Sequence, residues 1–206
     1  HCGKYKGIRY KGIVCDRCGV EINMKNVRRD RMGHIALCVP VVHIWYFRSL
    51  PSKVGYVLGL SSKDLEKIIY YESYVVVNPG KTKFNRLQLI SEEEYLEALN
   101  ALSDEDRNLD DDDQKKFVVD QGGKAIKELL KRVKIPEEVV RLRAELMDDP
   151  SAVKKTENIK RLRVLESFKL KEGGKPNRPE WMVLDVVPVI PPELRPLVPL
   201  EGGRFA

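Results

Sequence analysis

His-Cys-Gly-Lys-Tyr-Lys-Gly-Ile-Arg-Tyr-Lys-Gly-Ile-Val-Cys-Asp-Arg-Cys-Gly-Val-Glu, residues 1–21, carries three of the four cysteines at metal-ligand spacing. Cys15 and Cys18 form a Cys-x-x-Cys pair, and Gly19 permits the tight turn in which two thiolates converge on one ion. Cys2, also followed by glycine, is separated from that pair by twelve residues. The spacing predicts a zinc-ribbon-like element: two Cys-Gly knuckles joined by a short hairpin. Structural zinc takes four tetrahedral ligands, so three thiolates need one more partner. His1 is the nearest candidate, although adjacent residues reach one ion only with strain. His34 and His43 stand in apolar runs and read as core histidines. The competing reading of a bare Cys-x-x-Cys is a redox pair or two buried small hydrophobes.

The same knob is basic. Lys4, Lys6, Arg9, Lys11 and Arg17, interleaved with Tyr5 and Tyr10, form a candidate phosphate-facing surface, since cations give sequence-independent, salt-sensitive affinity. Arg28, Arg29 and Arg31 make a second cluster. The alternative is that these cations pair with acids. The net charge of +6 conceals an asymmetry: residues 1–53 carry eleven Lys or Arg against three acids, and residues 124–178 carry sixteen against nine. Between them, Ser103 to Gln114 holds seven acids and one arginine, which reads as a solvated acidic loop. Adjacent carboxylates in such a run do not preorganise an octahedral magnesium site.

With 206 residues, 42% hydrophobic and 33% charged, the chain can bury a sizeable core. It has no run of about eighteen apolar residues and no signal-peptide pattern, so no membrane association or secretion is expected. Metal-spaced cysteines suit a reducing cytoplasm, and Cys38, in an apolar run, is expected to be buried.

Periodicity predicts an α+β chain. His34 to Phe47, dense in β-branched and aromatic residues, reads as one or two strands with Pro40 at a bulge or edge. Ser62 to Tyr71 reads as a helix capped by Ser62, with Leu65, Ile68 and Ile69 on its apolar face. Tyr74 to Val77 returns to strand. Ser91 and Glu94 have capping-box spacing for a helix whose apolar side is Tyr95, Leu96 and Leu99. Ile126, Leu129, Leu130 and Val133 form one stripe, and Pro136 ends that helix and starts the next. Pro136 to Met147 and Ser151 to Leu170 read as a helical hairpin, with Leu142 and Leu146 facing Ile159, Leu162 and Leu165. Trp181 to Ile190 reads as a strand pairing antiparallel with residues 34–47. Five prolines from Pro188 to Pro199 then impose an extended tail.

Longer strings carry a resemblance. Cys2-Gly-Lys-Tyr-Lys6, Gly12-Ile-Val-Cys-Asp-Arg-Cys-Gly-Val-Glu21 and Val27-Arg-Arg-Asp-Arg-Met-Gly-His-Ile35 resemble the amino-terminal zinc-binding region of the bacterial RNA polymerase beta-prime family. So do His43-Ile-Trp-Tyr-Phe-Arg-Ser-Leu-Pro51, Pro179-Glu-Trp-Met182 and the run from Pro188 to Phe205. The resemblance implies a first zinc cysteine immediately before His1. On that reading the chain starts inside the site and stops inside the Gly-Gly-Arg-Phe-Ala motif of a larger subunit. Zinc is then held by Cys2, Cys15 and Cys18 in the intact subunit, and weakly or not at all here.

The resemblance further implies a zinc-ribbon element at 1–27, a clamp module at 28–190 with the acidic loop 103–114 and the hairpin 136–170, and a tail at 191–206 leading into the polymerase lid. Arg204 joins the nucleic-acid-facing residues by resemblance alone. The implied partners are the beta, alpha and omega subunits, sigma in the holoenzyme, template DNA and nascent RNA, in a cytoplasmic, nucleoid-associated enzyme. The family's catalytic magnesium motif, Asn-Ala-Asp-Phe-Asp-Gly-Asp, is nowhere in these residues. Magnesium therefore belongs outside the chain, and the expected role is noncatalytic. A free-standing zinc-ribbon nucleic-acid-binding protein is the alternative. A thiol enzyme using Cys15 or Cys18 would need a positioned base that the sequence does not supply.

Overall fold

A computed structural model describes residues 1–107, 109, 113, 115–148, 151–168 and 177–206, and of Asp104 and Glu105 it describes the backbone alone. The expected acidic stretch Asp110 to Asp112, the Asp149-Pro150 link of the hairpin and its expected end at Leu170 lie outside the described residues. In chain order the elements are α1 (Val27–Asp30), β1 (Gly33–Val42), α2 (Ile44–Phe47), α3 (Lys53–Leu58), α4 (Ser62–Ile69), β2 (Tyr74–Asn78), β3 (Leu89–Ile90), α5 (Glu92–Ala101), α6 (Asp104–Arg107), β4 (Val118–Asp120), α7 (Gly122–Lys131), α8 (Ile135–Met147), α9 (Ala152–Glu166) and β5 (Val183–Val189). The mixture of helices and antiparallel strands is the expected α+β class.

The chain forms two compact units, residues 1–36 with 186–206, and residues 37–185. Strands β1 and β5 pair, and the pairing is antiparallel: the His43 amide donates to the Met182 carbonyl at one end, while Gly33 lies beside Val189 at the other. This is the long-range pairing that the two apolar runs predict.

Within residues 37–185 the sheet order is β3-β2-β4, antiparallel throughout. Successive strand residues point to opposite faces, and β2 uses that alternation to serve two clusters. Val75 and Val77 enter a large core with Leu65, Ile68, Ile126, Leu129, Leu130, Leu142 and Leu165. Val76 turns the other way, into a smaller cluster with Phe84, Ile90 and Phe117, where Tyr74 and Tyr95 stack at 5.2 Å. The capping box forms as expected: Ser91 accepts from the Glu94 amide, and Glu94 reaches back to the Ser91 amide.

Several expectations are corrected. The run His34 to Phe47 is strand only to Val42; Ile44–Phe47 is a helical turn because the His43 side chain accepts the Trp45 amide as an N-cap, which ends the strand. His43 is half-buried in that role and His34 is exposed, so neither is a core histidine. Cys38 is exposed too, because a two-stranded ribbon leaves much of β1 uncovered. Ser61, not Ser62, caps α4, accepting from the Asp64 amide. On α5 the packed residues are Tyr95 and Ala98, with Leu102 beyond; Leu96 is exposed. The hairpin α8–α9 buries Leu142 and Leu165 in the core, whereas Ile159 is open to solvent. The start of the acidic stretch is helical rather than loop, with Ser103 accepting from the Asp106 amide.

Close backbone approach fixes the start of α7. A side chain at Gly123 would place its Cβ 2.1 Å from the Pro40 carbonyl oxygen, so only glycine lets the helix lie against β1 there.

In residues 1–36 with 186–206, Val14 and Glu21 bridge the two sides of the cysteine hairpin. Arg28 meets Glu193 at 2.8 Å. The proline-rich tail departs from the expected extended course twice: Pro192–Leu194 form a 3-10 turn, and residues 198–206 fold back through reciprocal Val198 and Ala206 amide bonds of 2.9 Å.

Candidate metal centre and basic surface

Two short turns bring the thiols together. Cys15 is buried, its amide donating to the Val20 carbonyl at 2.9 Å, and the Gly19 amide returns to the Cys15 carbonyl at 2.7 Å. Gly3 and Gly19, each following a cysteine, both adopt positive φ, at 79° and 68°, conformations that cost other residues strain. The chain can therefore reverse directly after each thiol.

The result is a cluster: the Sγ atoms of Cys2, Cys15 and Cys18 all lie within 4.8 Å of one another, and Cys2 to Cys15 is 3.6 Å. A tetrahedral ion with Zn–S bonds of about 2.3 Å holds its sulfurs roughly 3.8 Å apart. The three donors are thus near the spacing that zinc imposes, and three soft thiolates are the donor set that zinc favours. His1 does not join the cluster. Hydrogen bonding from the Val20 amide, then the Cys2 backbone, with help from the neighbouring thiols, lowers the Cys18 pKa to about 6. A thiolate is thereby available at neutral pH for a cation.

The basic residues fall into two groups. Lys4 is 2.7 Å from Asp16, which Tyr5 also approaches at 3.4 Å, and this pairing raises the Lys4 pKa while lowering that of Asp16. Arg28 pairs with Glu193, and Arg31 with Glu21 at 3.1 Å. These three are engaged by carboxylates. Lys6, Arg9, Lys11, Arg17, Arg29 and Arg204 form no ion pair among the described residues. Arg9 lies over the Tyr10 ring at 4.8 Å, and the Leu200 amide donates to the Arg204 carbonyl at 2.7 Å in the final turn. Sequence patterns do not single out Asp16, Glu21 or Glu193 as partners of these cations. Asp16 lies inside the Cys-Asp-Arg-Cys quartet, which is the signal that could have found it; Glu193 is too distant in sequence for any local pattern.

Three thiols converging from two Cys-Gly turns, carried by an α+β chain, form an element consistent with a zinc ribbon. Residues 2–206 match the family described as RNA polymerase Rpb1, domain 1, and the chain belongs to that family. It is 59% identical over 206 residues to the DNA-directed RNA polymerase subunit beta' of Azobacteroides pseudotrichonymphae, a match that covers all of this chain and 14% of that protein. The corresponding subunit of Salinibacter ruber is 54% identical over 209 residues, with 14% of its length covered. That of Flavobacterium johnsoniae is 56% identical over 211 residues, with 15% covered. The chain thus spans about one seventh of the curated relatives that it matches. The resemblance carried by the motif strings extends through the entire sequence.

Proposed function

We propose that this chain is the amino-terminal clamp region of a bacterial RNA polymerase beta-prime subunit, helping to hold DNA in the main channel and guide RNA toward the exit path. The observation that carries the reading is identity of 54–59% to named beta' subunits along the whole chain, well beyond the cysteine motif. On this reading residues 1–27 are the zinc ribbon, 28–190 the clamp module and 191–206 the approach to the lid. Template DNA, nascent RNA and the beta, alpha, omega and sigma subunits are its partners in a cytoplasmic, nucleoid-associated enzyme. No helix among the described residues is long and apolar enough to cross a membrane.

Cys2, Cys15 and Cys18 would hold zinc with a fourth donor, a cysteine before His1. Zinc would supply structural cross-linking, fixing the two turns that present Lys6, Arg9 and Lys11. Magnesium and nucleotide addition belong to other parts of the enzyme, because the acidic catalytic motif is absent from these residues.

Metal analysis tests the site. The 206-residue chain is expected to retain zinc weakly, and extension by one cysteine before His1 to restore about one equivalent. Tight stoichiometric zinc in the shorter chain overturns the four-cysteine assignment. In the complete polymerase, serine at Cys15 and Cys18 is expected to remove one zinc and shorten the lifetime of the DNA complex; an unchanged lifetime overturns the role in holding nucleic acid.

A further inference from the structure

Away from the cysteine turns, in residues 37–185, a cleft of about 440 Å³ is lined by Arg86, Arg132, Lys134, Arg141 and Arg161. Its carboxylates are Glu137 and Glu138, both already engaged. Glu137 holds Lys134 at 3.1 Å, and Glu138 holds Arg141 at 2.7 Å and Arg161 at 3.2 Å. Arg161 also donates to the Tyr56 carbonyl at 2.8 Å, so its guanidinium is fixed as part of the wall.

Arg86 and Arg132 are left over. Neither forms an ion pair among the described residues. Among the described residues the Arg86 side chain reaches only the Leu129 carbonyl, at 3.5 Å, near the carbonyl end of α7. Burial, and then the charge of Arg132, push the Arg86 guanidinium below its ordinary pKa. Two like charges share one recess, an arrangement that an incoming anion would relieve. The first turn of α8 lines the same recess but adds no anion site of its own, since Pro136 has no amide proton and Glu137 and Glu138 already answer the helix dipole there.

We propose that this cleft binds a phosphate group, with Arg86 and Arg132 as its principal ligands and Lys134 at its rim. Planar guanidinium forks match phosphate oxygens. The group could arrive as a small phosphate ion or as part of a nucleic-acid backbone, and both share this chemistry.

Arginine-selective dicarbonyl modification, read by peptide mass spectrometry on the complete assembled protein, tests the site. Inorganic phosphate at tens of millimolar is expected to slow modification of Arg86 and Arg132 about five-fold relative to chloride at equal ionic strength, leaving exposed Arg163 on α9 unchanged. Arg132→Gln is expected to abolish the protection of Arg86, a readout that a purely structural arginine would not give. Protection by micromolar duplex oligonucleotide as well would identify a backbone phosphate as the natural source; protection by free phosphate alone would identify a small anion. Equal modification rates in phosphate and chloride, or equal slowing at Arg163, overturn the proposal.

Discussion

The Lys4 ammonium lies 2.7 Å from the Asp16 carboxylate, tying the turn after Cys2 to the Cys15–Cys18 turn. Both groups are exposed, so the pair positions two loops more than it stabilises them. It also occupies a cation that the sequence offers for nucleic-acid binding.

That relationship divides the basic knob. Removing one phosphate-bound cation lowers the slope of log affinity against log salt by about 0.9 for duplex DNA. Lys6→Gln and Arg9→Gln are each expected to lower the slope by about that amount, and Lys4→Gln to leave it unchanged. Fluorescence anisotropy with labelled duplex over a salt series decides between them. A decrease of the same size for Lys4→Gln would mean that Asp16 releases Lys4 on binding.

Glu193 supplies a pH dependence. Hydrogen bonding to Arg28, then the charges of Arg28, Lys25 and Arg29, hold its carboxyl below the usual 4.5. A pKa depressed in the folded state adds stability above the unfolded value, and this is lost as pH falls through the folded value. The contribution is therefore present at neutral pH and fades below 4.5. Carboxyl NMR titration should find Glu193 lowered in the wild type and restored toward 4.5 by Arg28→Gln; an unchanged titration in the variant would place the cause elsewhere.

Gly123→Ala should be costly. Its Cβ would stand 2.1 Å from the Pro40 carbonyl oxygen, which is backbone and cannot swing aside. A loss of about 1–3 kcal/mol or more is expected from forced displacement of α7. Gly33→Ala, whose nearest neighbour would be Val189 at an ordinary 3.5 Å, is the control and should stay within about 0.5 kcal/mol. Denaturant unfolding of both variants makes the comparison.

The hairpin α8–α9 should show a contrast between its core-facing and open sides. Leu142 is fully buried, so Leu142→Ala should cost about 2–5 kcal/mol. Ile159 is 37% exposed, and Ile159→Ala should cost clearly less. Equal losses in thermal or chemical unfolding would mean that the Ile159 side of α9 is covered.

What the sequence makes legible follows the range of the interaction. The Ser91/Glu94 box, the α7 stripe and the three-thiol cluster rest on residues close in the chain or on strong chemistry, and all three are found. Misreadings of burial share a cause: it is decided by what covers a surface, and β1 has one partner strand while α5 meets its cluster through Tyr95 and Ala98. Cys38, His34 and Leu96 are apolar by context in the sequence yet exposed in the fold. The helical turn after Val42 escaped because one histidine nitrogen, capping the Trp45 amide, overrides β-rich composition. The pairing of Arg28 with Glu193 spans 165 residues, beyond any local pattern.

The alternating valines of β2 have a final consequence for how this region comes apart. Val75 and Val77 are sealed in one cluster and Val76 in the other, so freeing the strand breaches both at once. Amide protons of Val75 to Val77 should accordingly exchange with solvent only through cooperative opening of residues 37–185. Those of the two-residue edge strand β3 can escape by fraying alone.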